Sequence, residues 1–164
     1  MITRKAFKFR LYPDESQQSK LAKEFGCARF VYNHYLDKRK SIYFDTGKTF
    51  TYFDCTKDLT QLKKSDGLEW LQEASAQVLC QSLQDLDNAY KRFFEMSKSG
   101  TLPPVGKKPR KDGMSKGYPT FWSKCDNQSI RYPQDFKIKQ NRIYLPKVGW
   151  VHLHKHRTIW GKAK

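Results

Sequence analysis

Three histidines, His152, His154 and His156, stand at every second position near the end of the sequence. Side chains two apart share one face of a strand, so three imidazoles there could converge on a metal ion or on a phosphate. A metal site would need a carboxylate or cysteine to complete it, yet the interleaved and following residues are Leu153, Lys155 and Arg157. A basic face turned toward phosphate accounts for the run equally well, and no metal is expected. Carboxylate chemistry is no better supplied. A two-metal nuclease needs several carboxylates around Mg²⁺, and Asp112, Asp126 and Asp135 are the only acids after residue 97. Glu73, Asp85 and Asp87 share one predicted helix, but Asp85 and Asp87 stand two apart and point away from each other. The cysteines at 27, 55, 80 and 125 form no CxxC pair, which excludes a zinc ribbon and suits reduced thiols in the cytosol. Neither a Ser–His–Asp or Cys–His arrangement nor a Gly-rich phosphate loop stands out. The chain reads as a binding protein and not, by itself, as an enzyme.

Charge indicates what is bound. The 164 residues carry a formal net charge of +16, which predicts affinity for polyanions and says nothing of fold. Residues 1–97 hold 16 Lys/Arg against 13 Asp/Glu, whereas residues 98–164 hold 16 against 3. General solubility does not explain so uneven a distribution. Residues 98–119 combine Pro and Gly with Lys107, Lys108 and Arg110. They are expected to form a mobile basic linker whose ordering on a phosphate backbone would release counterions. The start, MITRKAFKFRLYP, lacks the apolar region of a signal peptide. No apolar run approaches the ~20 residues of a membrane helix. A cytoplasmic, nucleoid-associated protein is expected.

The elements that must position these residues can be read from periodicity. Residues 6–11 alternate, with Phe7, Phe9 and Leu11 on one side and Lys8 and Arg10 on the other, as in a half-buried strand with a basic outer face. Pro13 ends it and Asp14 suits a helix N-cap. Leu21 and Phe25 belong to a first helix, Gly26 interrupts, and a second helix is expected from Cys27 to about Phe44, a pair that could resemble a helix-turn-helix. Residues 45–48 read as a turn, and Asp54 as the cap of a short helix carrying Leu59 and Leu62. From about Glu73 to Ser97, Leu79, Leu83, Leu86, Tyr90 and Phe93 form an amphipathic stripe. The opposite side offers Gln77, Gln81, Gln84 and Asn88, amides able to pair with base edges but more commonly only solvated. Beyond the linker, residues 136–139 and 142–145 flank Gln140-Asn141 as a hairpin, and residues 150–153 form a further strand. The fold class expected is α+β, a small basic sheet with a helical segment inserted after its first strand.

In this order, KAFKFRLYP, GCARFVYNHYL, LTQLKK, WLQEASAQVLCQSLQDLDNAYKRFF and QSIRYPQDFKIKQNRIYLPKVGWVHLHKHR closely resemble the N-terminal half of TnpB proteins. These OrfB-type transposases of transposable elements are relatives of the type V CRISPR effectors, and the resemblance covers essentially all of residues 1–164. Its most specific stretches are 29–33 and 145–151. It implies a small wedge-type β-barrel with an inserted helical recognition lobe: residues 1–13 as the first wedge strand, 14–97 as the lobe, 98–119 as linker and 120–164 as the remaining strands. It implies guide-type RNA and double-stranded DNA as partners and no membrane.

The family's RuvC-like nuclease, with its metal site and zinc ribbon, lies further along. The sequence is therefore expected to lack it, and Mg and Zn are expected only with that missing half. Carried over by position, Tyr52, Thr56, Gln77, Gln81, Tyr132 and Gln134 would approach target-adjacent DNA. Ala76 and Cys80 depart from relatives that can place Lys and Gln there. Lys8, Arg10, Lys107, Lys108, Arg110, Lys147, His154, Lys155 and Arg157 would hold RNA or phosphate. Two other readings stand beside this one: a stand-alone DNA-binding repressor of the same descent, and one chain of a split nuclease completed by a separate RuvC-like chain.

Overall fold

The computed structural model of the chain describes residues 5–99 and 117–159. Strand β1 (Arg10–Tyr12) leads through Pro13 into helix α1 (Glu15–Thr46). Asp14 caps α1 as expected: its carboxylate accepts the Gln17 N–H at 2.8 Å, and the Gln17 side chain accepts the Asp14 N–H at 3.2 Å. The helix then runs unbroken through Gly26, where two helices were expected, and ends at Gly47 in the left-handed conformation (φ 67°). Asp45 and Thr46 are thus helical rather than part of a turn.

Continuity across Gly26 is explained by what α1 buries. Glu24, Cys27, Ala28, Val31, Tyr32, Tyr35, Leu36 and Arg39 form one stripe at three- and four-residue spacing on both sides of the glycine. The stripe is hard to see in the sequence because it mixes tyrosines, small residues and two ionisable groups. Arg39 can be buried because it meets Asp87 at 3.4 Å and lies over the Tyr90 ring, 4.4 Å from its centroid.

Helix α2 (Tyr52–Leu62) is capped by Thr51 rather than by Asp54, which supplies the other half of the capping box. A short 3₁₀ turn (Glu69–Gln72) precedes helix α3 (Ala76–Lys98). Four of the five residues of the expected α3 stripe are buried, with Leu79, Leu83, Leu86 and Tyr90 meeting Val31, Tyr35 and Leu36 of α1 and Cys55 and Leu59 of α2, while Phe93 is only partly buried. The Ser82 hydroxyl donates to the Ala28 carbonyl at 2.6 Å, drawing α3 close to α1.

Residues 117–135 return across the helices. Tyr118 and Trp122 pack on the helical core, and Trp122 stacks on Tyr32 with centroids 4.1 Å apart. Asn33 secures this crossing twice, donating to the Trp122 carbonyl (3.0 Å) and accepting its N–H (2.8 Å). The stretch 29–33 is therefore a clamp on this segment, with Arg29 adding a bond to Gln128 at 3.0 Å. Tyr118 and Pro119, which the sequence assigned to the linker, belong to this packed segment.

Strands β2 (Lys137–Lys139), β3 (Arg142–Leu145) and β4 (Gly149–His154) follow. The sheet is antiparallel with order β1-β4-β3-β2. Among the described residues it is open, with β1 and β2 at its edges, and is not closed into the expected barrel. Its strands are three to six residues long, too few and too short to curl onto themselves. The inner face packs Leu145, Val148 and Val151 against Leu21 of α1 and against Tyr132. No described helix is long and apolar enough to cross a membrane.

Candidate nucleic-acid interface

The register of the sheet decides what its other face displays. In β4, Val151 and Leu153 are buried while Trp150, His152 and His154 alternate outward. Across the β1–β4 ladder Arg10 stands opposite His154, and Tyr12 opposite His152. Across β3–β4, Arg142 stands opposite His152 and Tyr144 opposite Trp150. Lys137 and Lys139 of β2 continue the rows beside Tyr144 and Arg142. The outer face thus alternates cations with rings, and none of the four strands contains an acid. Tyr12 and His152 lie 5.9 Å apart by ring centroid, and Tyr144 and Trp150 5.6 Å. Among the described residues, Arg10, Lys137, Lys139 and Arg142 make no ion pair, so no described acid neutralises their charge.

The phosphate-binding set predicted from the sequence is only partly gathered here. Arg10 and His154 are paired on this face. Lys8 is exposed ahead of β1, Lys147 is exposed in the β3–β4 turn, and Lys155 and Arg157 follow β4. His156 lies past the strand, so it does not extend the His152–His154 row, although its ring reaches Phe9 (5.3 Å) and His154 (6.2 Å). Lys107, Lys108 and Arg110 lie outside the described residues. Sequence reading missed Tyr12, Tyr144, Trp150, Arg142, Lys137 and Lys139. Period-two alternation on both arms of the predicted hairpin was the signal that could have found Tyr144, Arg142, Lys137 and Lys139, and the same alternation in the strand after it could have found Trp150.

The set predicted for target-adjacent DNA falls in two places. Tyr52 opens α2 and packs partly into the helical core, while the Thr56 hydroxyl donates back to the Phe53 carbonyl at 2.8 Å. Tyr132 and Gln134 belong to residues 131–135, which are tied to α3 by Arg131 to Asp85 at 3.3 Å and by Asp135 to Gln77. The Gln77 amide donates to Asp135 at 2.6 Å, and its carbonyl oxygen is buried without a partner. Gln81 is half-buried, and Gln134 alone of the six is exposed. The Tyr132 ring packs beneath the sheet, and its hydroxyl is buried beside Glu24, whose charge adds to the effect of burial in pushing the phenol up.

Glu24 joins the two parts of the molecule. Its Oε1 accepts the Ser75 N–H at 3.0 Å. Oε2 and the Tyr132 hydroxyl have no well-formed hydrogen bond, yet they lie close enough for each to bear on the other's ionisation. Burial raises the carboxyl above its ordinary value, opposed by Ser75, Tyr132 and Lys147. Burial likewise lifts the thiols of Cys27 and Cys55 to about 11, so neither is a ready nucleophile. Among the described residues no three His, Cys, Asp or Glu side chains converge as a metal site.

A basic sheet whose four strands contain no acid is carried on a helical body, and comparison with known proteins shows what the chain is similar to. The helix-turn-helix domain profile of OrfB proteins matches residues 1–48. The described part of that segment holds β1 and the single helix α1, so here it contains no turn between two helices. The chain is 31% identical over 161 residues, 97% of its length, to an Escherichia coli (strain K12) protein named "Putative RNA-guided DNA endonuclease InsQ". A Streptomyces pristinaespiralis protein named "Putative RNA-guided DNA endonuclease" is 36% identical over 91 residues, 56% of the chain. The chain spans 36% and 23% of the lengths of these two relatives. These matches support a TnpB/OrfB-type N-terminal region.

Proposed function

We propose that this chain is the nucleic-acid-binding portion of a TnpB-type protein, holding guide-type RNA and contacting double-stranded DNA beside a target. The observation that carries this reading is the outer face of the sheet, where Arg10, Arg142, Lys137 and Lys139 stand among rings with no acid in any strand. Phosphate neutralisation by such a face supplies affinity without sequence preference. Sequence reading is assigned to the corner of Gln77, Gln81 and Gln134, helped by Tyr52 and Thr56 on α2. In this division residues 1–13 and 120–164 form the wedge and residues 14–97 the recognition lobe, with the linker between them ending before Tyr118. Cutting is assigned to a RuvC-like domain outside the chain, whether continuous with it or separately encoded.

Extraction and sequencing of the nucleic acid that copurifies with the chain tests this reading. A discrete RNA of defined length is the expected result. Nucleic-acid-free protein that shifts one specific duplex would make it a stand-alone DNA-binding repressor instead, and protein that binds neither RNA nor DNA at moderate salt would sink both.

A further inference from the structure

We propose that the outer face of the sheet is a stacking platform for unpaired nucleobases, so that its ligand is a single-stranded stretch and not a duplex. The inference rests on the nucleic-acid-binding reading above and goes further by naming the strand state that the face selects.

The first ground is the placement of the rings. Trp150 is 41% and Tyr12 51% exposed, while Val151 and Leu153, on the opposite face of the same strand pair, are 0% and 3%. The chain therefore had a core available to these strands and turned its aromatic residues away from it. Large rings left in water on a structured sheet mark a surface that something covers. They come in cross-strand pairs, Tyr12 with His152 and Tyr144 with Trp150.

The second ground is charge complementarity. Tyr144 and Trp150 have Lys137 and Arg142 as cross-strand or diagonal neighbours, and His152 and His154 have Arg142 and Arg10 opposite them. Tyr12 has Arg10 two residues along its own strand, and no strand carries an acid to repel phosphate. Rings for bases interleaved with cations for the backbone is the composition that single-strand binders use.

Shape is the third ground. Four strands side by side span about 14 Å at the usual inter-strand spacing. The major groove, about 12 Å wide, admits a helix or a two-stranded ribbon. A broad open sheet cannot enter it, and the bases of a duplex are stacked out of reach of the rings. Unpaired bases can lie flat on such rings. The platform is also rigid. β4 is flanked by β1 and β3, and the Gln17 side chain donates to the Trp150 carbonyl at 2.9 Å, fixing the strand to α1. Rings held in place lose little freedom on binding.

The test compares the full chain with a Tyr12→Leu/Trp150→Leu variant and a Lys137→Ala/Lys139→Ala variant. Leucine keeps bulk and strand compatibility, and a thermal melt confirms that each variant is folded. The probes are oligo-rU, oligo-dT and a mixed-sequence duplex of matched length, titrated over a range of salt. The full chain is expected to prefer either single strand to the duplex. The ring variant should lose about tenfold or more in single-strand affinity with its salt slope unchanged. Its duplex affinity should stay within about twofold, since no phosphate contact is removed. The lysine variant should weaken all three probes and flatten the salt slope. Unchanged single-strand affinity in the ring variant, or a full chain that prefers the duplex, would overturn the stacking platform while leaving nucleic-acid binding intact. A full chain that binds none of the probes would overturn the functional reading beneath it.

Discussion

Glu24, in the middle of α1, accepts the backbone N–H of Ser75 at the start of α3, at 3.0 Å and almost wholly out of solvent. The carboxylate takes the N–H of the N-cap residue of a helix that has no side-chain cap of its own. That bond ties α1 to the start of α3, with Tyr132 and Lys147 close enough to act on the same carboxyl.

Burial raises the Glu24 carboxyl above its ordinary value, which gives stability a pH dependence of definite sign. The folded state holds the proton more tightly than the unfolded one. This contribution is therefore full below the unfolded value, about 4.3, and is lost as pH rises through the folded value. Glu24→Gln keeps the acceptor for Ser75 without burying a charge. Thermal melts from pH 4 to 8 should show variant and wild type closest at the acid end, with the variant gaining as pH rises. A wild type that melts above the variant at pH 8 would mean that the ionised carboxylate is a net stabiliser.

Gln77 spends its amide on Asp135, at 2.6 Å, with Asp135 at φ 60°. A base edge at this place would have to displace that carboxylate. Gln77→Ala should therefore change which duplex sequences are preferred more than it changes mean affinity, as measured by selection from a randomised duplex pool. A uniform loss over the whole pool would tell against base reading by this residue.

The contrast between α3 and α1 separates local pattern from distant partnership. Leu79, Leu83 and Leu86 are ordinary core residues at helical spacing, so their stripe is legible from that spacing alone. The α1 stripe depends on partners far along the chain, such as Asp87 for Arg39 and Trp122 for Tyr32, and no local pattern announces them. The sheet divides in the same way. Its hairpin is legible from Gln140-Asn141, of which Gln140 takes a positive φ of 50°. The pairing of Tyr12 with His152 joins opposite ends of the chain, and only the β1–β4 register reveals it. The candidate site is thus legible in the sequence as a basic region and not as a surface.

Lys147 holds φ 67° in the turn between β3 and β4, where Pro146 precedes it and the Val148 N–H bonds the Leu145 carbonyl at 3.2 Å. Such a turn calls for Gly or Asn at this place. Lysine is retained there at a cost, which fits a cation kept for binding. Lys147→Asn should leave stability unchanged or raise it by up to about 1 kcal/mol, while weakening RNA binding and lowering the salt slope by roughly one. Melts and salt titrations on the same preparations read both effects, and unaltered RNA affinity would remove Lys147 from the interface.

Gly26 offers the sharpest test of α1. A helix-turn-helix reading of residues 1–48 needs the chain to bend near this glycine, whereas here it sits inside a continuous helix, outside the left-handed region. A Cβ built on it meets nothing within 4 Å. Gly26→Ala should then stabilise the protein by roughly 0.5–1 kcal/mol, because alanine relieves the entropy cost of a mid-helix glycine. At this chain length that corresponds to a rise of about 1–4 °C in Tm. If the glycine instead turned the chain with a positive φ, alanine would strain it and lower Tm. The sign of one melting shift therefore decides between an unbroken α1 and two helices joined at Gly26.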